Sequence, residues 1–338
     1  MLGHNYVSGI IDVWFFPQLT SAGEPFLIHD SGQGDSQRII VFATAKNFKL
    51  LQESEEWFVD GTFGVCPEIF HQLYTIHARL PNGKSVPAVY SLLPSKSSAT
   101  YRRLLRAVAG NLDEHYPSVV HVDFELAMIR ELEGVFPDVG IQGCLFHFCQ
   151  CVWRHIQANS ELREPYMKDD DFALELRMFT ALAFVPLRDV RTSFKSLLQS
   201  DFVRTNQDVL RSFLNYFETT WIGRPRVPPR IKLEWWNVYE PTLRGLGRTN
   251  NVVEAWHSAF SGRLGITNPR VCQLIEYLQL EQARAEFIVT NTLAQGNNLP
   301  KAKVVYRDRQ KRLQELAATY DRSKLMTYLK SAAHSIQF

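Results

Sequence analysis

Cysteine is scarce in this sequence, with five among 338 residues, at positions 66, 144, 149, 151 and 272. An odd, partly clustered set excludes a disulfide-stapled secreted scaffold and fits a reducing, intracellular compartment. Long apolar runs are also missing. A stretch such as Ala181–Leu187 reaches only seven residues, against the roughly 20 a membrane helix needs, so no membrane partner is expected. The first thirty residues carry Asp12, Glu24 and Asp30 but no Lys or Arg, the opposite of a signal or transit peptide. There is no strong net charge either, with 37 Lys and Arg against 35 Asp and Glu.

What is present is a globular composition. Hydrophobic residues make up 45% of the chain, which excludes wholesale disorder, and the length suffices for one large or two ordinary domains. The near-neutral total hides an asymmetry. Residues 1–60 hold three basic and eight acidic side chains, whereas 224–270 and 301–324 each hold eight basic against three acidic. Local positive fields of this kind suit a polyanion, or simply mark solvated helix faces.

Turn-rich segments at 21–25 and 31–35 precede an apolar run, RIIVFA, at 38–43 and a short helix at 45–53. Three strands then follow closely, at 57–63, 70–80 and 85–93, the last two joined through Pro81-Asn82-Gly83-Lys84. Apolar spacing predicts helices from 101 to 112 and through Leu126, Ile129 and Leu132, with strands at 118–124 and 139–145 and a long helix from about His147. The order β-β-β-α-β-α-β-α describes an α/β fold. Its mixed sheet has three antiparallel strands and two more after helical crossovers, which is the ribonuclease H-like arrangement. The segment from 160 to 240 is helical in pattern, an all-helical insertion, and helices resume at 248–264 and 271–290. The expected organisation is an N-terminal hairpin and helix segment (1–55), the first part of the core (56–158), the helical insertion (159–245), core completion (246–292) and a basic C-terminal helical segment (293–338).

Two carboxylates stand alone in apolar strands, Asp60 and Asp123. A buried lone carboxylate costs several kcal/mol, roughly, so it needs a partner or a metal. The first and fourth strands of the core are expected to be neighbours, which lets the two acids face each other. Carboxylate oxygens suit Mg²⁺ or Mn²⁺, and Glu254, on the first helix after the insertion, is the candidate third ligand of a two-ion site. Each acid has a plainer reading. Asp60 precedes Gly61-Thr62 and suits a turn, Asp123 suits a helix cap, and Glu254 lies three residues after Asn251, as in a capping box.

Four segments together resemble the Mutator-like element (MULE) transposases. They are WFVDGTF at 57–63 with Pro67 close behind, HVDFELA at 121–127, GCLFH at 143–147 running on to Trp153, and RTNNVVE at 248–254 followed by Trp256 and His257. They occur in the family's order over roughly residues 38–290. The resemblance implies a ribonuclease H-like DDE core that cuts and joins DNA ends with Mg²⁺, with the catalytic roles on Asp60, Asp123 and Glu254. It also implies a nuclear location, transposon ends and target DNA as partners, and assembly as a homo-oligomer on DNA.

Cys144, His147, Cys151 and His155 follow at spacings of three, four and four. Four residues along three turns of one helix cannot converge on one ion, so zinc is not expected. Cys144 and His147 are expected to pack behind or beside the carboxylates, with His147 as a DNA contact. Arg248, beside Glu254 at a helix start, and Arg226 and Arg230, in the Pro-rich basic stretch, are further DNA candidates. Trp221, Trp235 and Trp236 near that stretch suit either base stacking or a helical core. No cysteine-bearing DNA-recognition module is visible, so a catalytic core or a domesticated, non-catalytic DNA- or chromatin-binding copy are both compatible with the residues.

Overall fold

The computed structural model describes residues 18–113, 115–246, 250–295 and 304–336. Its strands are β1 (Leu27–Asp30), β2 (Ile40–Phe42), β3 (Glu56–Thr62), β4 (Gln72–Arg79), β5 (Ser85–Leu93), β6 (Val119–Val122) and β7 (Gly140–Gly143). The helices in chain order are α1 (Ala45–Glu53), α2 (Ser98–Ala109), α3 (Leu126–Val135), α4 (Leu145–Ala158), α5 (Ser160–Lys168), α6 (Asp170–Ala181), α7 (Val190–Leu198), α8 (Asp201–Thr205), α9 (Gln207–Phe217), α10 (Leu233–Trp236), α11 (Tyr239–Leu243), α12 (Asn251–Leu264), α13 (Val271–Gln295), α14 (Val304–Ala318) and α15 (Leu325–His334). No helix among the described residues is long and apolar enough to cross a membrane.

The strands form one mixed α/β sheet in the order β1-β2-β5-β4-β3-β6-β7. It is wider than the five-stranded sheet expected, because β1 and β2 do not stand apart from it. They pair with each other, and β2 pairs antiparallel with β5. The apolar run at 38–43 is therefore an inner strand, with Ile40, Val41 and Phe42 all buried. Arg38 forks onto Asp30 at 2.7 and 2.6 Å and fastens the β1–β2 pair. The β4–β5 hairpin turns where Gly83 takes a φ of 77°, a conformation that costs glycine nothing. Opposite His77, Pro87 interrupts the ladder and the register skips a residue, as expected where a central strand holds a residue with no N–H.

The chain divides into two compact units, one of residues 1–140 with 250–299 and the other of 141–249 with 300–338. In the first, alternation sends successive side chains to opposite sheet faces. Trp57, Tyr74 and Gln72 meet α2 and the end of α3: Trp57 packs edge-on to Phe136 at 5.8 Å, Tyr74 lies 5.3 Å from Tyr101, and Gln72 donates to the Tyr101 hydroxyl at 2.9 Å. On the other face Phe42, Leu73, Tyr90 and Leu92 pack with Phe260, Leu264, Leu274 and Leu278 of α12 and α13.

Among the described residues the second unit's regular elements are helices, apart from the end of β7. Its centre is aromatic, with Trp236 stacked on Phe148 at 5.0 Å and Trp221 edge-on to the same ring at 4.7 Å. Trp221, Trp235 and Trp236 are all buried. Of the two readings of these tryptophans, the core reading is the one that holds.

Candidate active site

Asp60 lies inside β3 and not in a turn. It pairs with Thr75 across the antiparallel β3–β4 ladder, and its Oδ1 accepts the Gly61 N–H at 2.8 Å. Gly61 is there because no side chain fits: a Cβ would stand 2.3 Å from Gln72 Oε1 and 3.0 Å from Tyr74 Cδ2. The glycine beside the acid thus answers to packing on the opposite sheet face.

Strands β3 and β6 are parallel neighbours, with Glu56 opposite Val119, Trp57 opposite Val120 and Phe58 opposite His121. Continued two residues, this register sets Asp60 level with Asp123 on strands about 4.8 Å apart. They share a face, because the residues two before each, Phe58 and His121, stack their rings at 4.4 Å. Asp123 Oδ1 accepts the Glu125 N–H at 3.3 Å, while α3 starts from Glu125 with no side-chain cap. The helix-cap reading of Asp123 therefore fails.

The third acid arrives on α12, whose N-cap is Asn250 and not Asn251. Asn250 makes no side-chain cap. Its Nδ2 instead donates 3.2 Å to the carbonyl of Val59, the residue before Asp60. This shifts Glu254 off the capping-box position and ties the helix start to the strand that carries the first acid. One turn after Glu254, on the same helix face, His257 places Nδ1 3.5 Å from Asp60 Oδ2. Asp60 on β3, Asp123 just past β6 and Glu254 on α12 thus all lie within the first unit, and β3 contacts both β6 and α12.

Burial pushes the Tyr74 hydroxyl well above its ordinary pKa, and Tyr101, Asp123, Asp60 and Glu125 push it the same way. Three carboxylates, Asp123, Asp60 and Glu125, are therefore within electrostatic reach of one tyrosine. Beside them Glu56 accepts from His121 Nε2 at 2.8 Å, with Arg79 at 3.4 Å, and the His121 hydrogen bond leads in holding the Glu56 carboxyl below its usual range.

Thr75 and His257 stand beside Asp60 without belonging to the pattern of acids in the sequence. Thr75 and His77 are the buried polar positions on one face of β4, which ends on that face at Arg79. Thr75 Oγ1 lies 3.3 Å from His257 Nε2 and 3.1 Å from His77 Nε2. A polar pair at alternate positions of a buried strand was the available signal.

The remaining candidates belong to the second unit. Cys144 is buried at the N-cap of α4, and His147 is half-buried in its first turn. His155, further along the helix, stacks on Tyr216 at 3.9 Å. Arg226 and Arg230 are exposed, and Arg226 takes a φ of 66°. Arg248 lies outside the described residues.

Residues 56–151 match the family model of the MULE transposase domain. No curated protein matches the chain. The matched stretch runs from β3 into α4 and contains Asp60, Asp123, Cys144 and His147.

Proposed function

We propose, from the premise that residues 56–151 are a MULE transposase domain, that the protein is a DDE transposase catalytic core with a ribonuclease H-like fold. It hydrolyses and joins phosphodiesters at transposon ends. The observation that supports this most is the parallel β3–β6 register, which, continued past the end of β6, sets Asp123 level with Asp60, with α12 fastened through Asn250 to β3.

The donor set fits hard divalent cations, since three carboxylates and no sulfur or imidazole are needed for ligation. Asp60, Asp123 and Glu254 would hold two Mg²⁺ or Mn²⁺ ions. Bound there, the ions supply Lewis-acid activation of a water or a DNA 3′-hydroxyl and neutralise charge on the leaving oxygen. The chain's own part is positional. The register of β3 and β6 sets the spacing of the two aspartates, and the Gly61 N–H holds one oxygen of Asp60. No side chain serves as nucleophile. Arg226, Arg230, Arg248 and His147 are the proposed contacts to DNA, as cations or donors for phosphate. The protein acts in the nucleus, as a homo-oligomer on the DNA ends.

The test is strand cleavage and joining on labelled DNA containing the flanks of the gene's own element, in Mn²⁺, with Asp123→Ala as control. Metal-dependent nicking abolished by the substitution is the expected result. DNA binding without nicking in either protein would instead favour the alternative, a domesticated, non-catalytic DNA- or chromatin-binding protein.

A further inference from the structure

One aromatic ring stands in solvent close behind the first acid. Phe63 follows Asp60 by three residues, just past the end of β3, and 47% of it is exposed. The exposure is not that of a loose loop. Val65 and Cys66, next along the chain, are buried. The Phe63 carbonyl accepts the Cys66 N–H at 3.0 Å, and the Gly64 carbonyl accepts the Asn268 N–H at 3.2 Å. The backbone that carries the ring is thus tied down, while the ring stays outside the core.

Two polar groups meet this ring. His71 stands edge-on to it at 5.4 Å, and Lys96 Nζ lies over it, 4.6 Å from the centroid. The same ammonium is 3.3 Å from Glu125 Oε2, two residues past Asp123. Lys96 therefore reaches from the segment that follows one aspartate to the segment that follows the other, all within the first unit. A single exposed apolar side chain is ordinary. One held on a fixed backbone, with a cation on its face and two acids close by in the chain, matches the pairing of ring and positive charge that single-stranded nucleic acid requires.

The magnitudes decide what the ring can hold. A base stacked on an aromatic ring strengthens binding on the order of five- to a hundredfold, whichever base it is. A cation over an exposed ring contributes only about two- to fivefold. A base therefore displaces Lys96 from the ring, and the next phosphate offers the ammonium a stronger partner than Glu125. We propose that Phe63 and Lys96 bind one nucleotide of an unpaired DNA strand beside the acids, the ring stacking its base and the ammonium holding an adjacent phosphate. This rests on the reading of the protein as one that binds DNA at the carboxylates. It gives to Phe63 the stacking role that the buried tryptophans cannot fill.

The experiment uses the full chain in Ca²⁺ and two fluorescein-labelled probes, a blunt duplex and the same duplex with a short thymidine overhang. Stacking tolerates any base, so the probes need no particular end sequence. The wild type should bind the overhang probe more tightly than the blunt one. Phe63→Leu, which keeps apolar bulk without a π-face, should weaken overhang binding about tenfold, spare the blunt duplex and keep the salt slope. Phe63→Trp should bind as the wild type does. Lys96→Ala should lower the salt slope on the overhang probe by about 0.7, the share of one single-strand phosphate. With 5-iodouracil in the overhang, irradiation should cross-link the base to Phe63, located by mass spectrometry. Overhang binding by Phe63→Leu equal to wild type overturns the proposal, as does an equal loss on both probes. An unchanged slope in Lys96→Ala overturns the part given to Lys96. A wild type that binds neither probe overturns the DNA reading beneath the proposal. A wild type that binds both probes without a cross-link at Phe63 overturns this inference alone.

Discussion

Asn250 reaches across 191 residues of sequence to donate a hydrogen bond to the backbone of Val59. It is fully buried, and it sits where a helix-capping side chain would normally turn back on its own helix. The contact fixes the start of α12 to the strand of the first acid.

Removing that donor should be costly. Asn250→Ala and Asn250→Asp are expected to destabilise the protein by about 1–3 kcal/mol, because the Val59 carbonyl loses its buried partner. Urea denaturation measures this, and midpoints equal to wild type would show that the contact contributes nothing.

Neutralising one of two level carboxylates should do the reverse. Without metal, Asp123→Asn is expected to gain about 1 kcal/mol by relieving repulsion with Asp60. Mn²⁺ at a hundredfold excess over its dissociation constant should stabilise the wild type by about 2.7 kcal/mol and the variant hardly at all. Thermal unfolding of both proteins with and without Mn²⁺ reads both effects, and equal responses would remove Asp123 from the site.

Glu56 supplies a pH signature. Its folded carboxyl titrates below the ordinary 4.5, led by the hydrogen bond from His121. The stability it adds is complete above about pH 4.5 and is lost as pH falls through the lowered folded value. Glu56→Gln should therefore be less stable than wild type at neutral pH, with the gap narrowing below pH 4.5. A gap that stays constant down to acid pH would show that the pairing is not what lowers this carboxyl.

Gly61→Ala should displace Gln72 from the Tyr101 hydroxyl and cost about 1–3 kcal/mol. Combined with Gln72→Ala, the loss should be smaller than the sum of the two single losses by at least about 0.5 kcal/mol. Strict additivity would show that the two positions do not meet.

Much of this was legible in the sequence because strong local patterns coincide with buried elements. Helix 45–53 and strand 85–93 are found at the residues expected, and Asp60 and Asp123 stood out as single charges in apolar strands. Strands of three and four residues flanked by turns do not announce the sheet edge they join, so β1 and β2 did not read as part of the sheet. The tryptophans of the helical unit were ambiguous because the same residue serves a core and a base stack, and only burial separates the two. The Thr75–His77–His257 line was hidden because it depends on strand register and on a helix nearly 200 residues away.

The division of the first unit by the second orders events during synthesis. Residues 1–140 leave the ribosome without α12, so Asp60 and Asp123 face each other with no third acid, no Asn250 tether and no His257. At about 5–20 residues per second, Glu254 follows Asp123 by on the order of ten seconds. A chain cut short anywhere between residues 141 and 249 never acquires it. Assembly of the three acids thus reports that translation has passed through residues 141–249, and a product that ends before them carries two aspartates that cannot be joined by their glutamate.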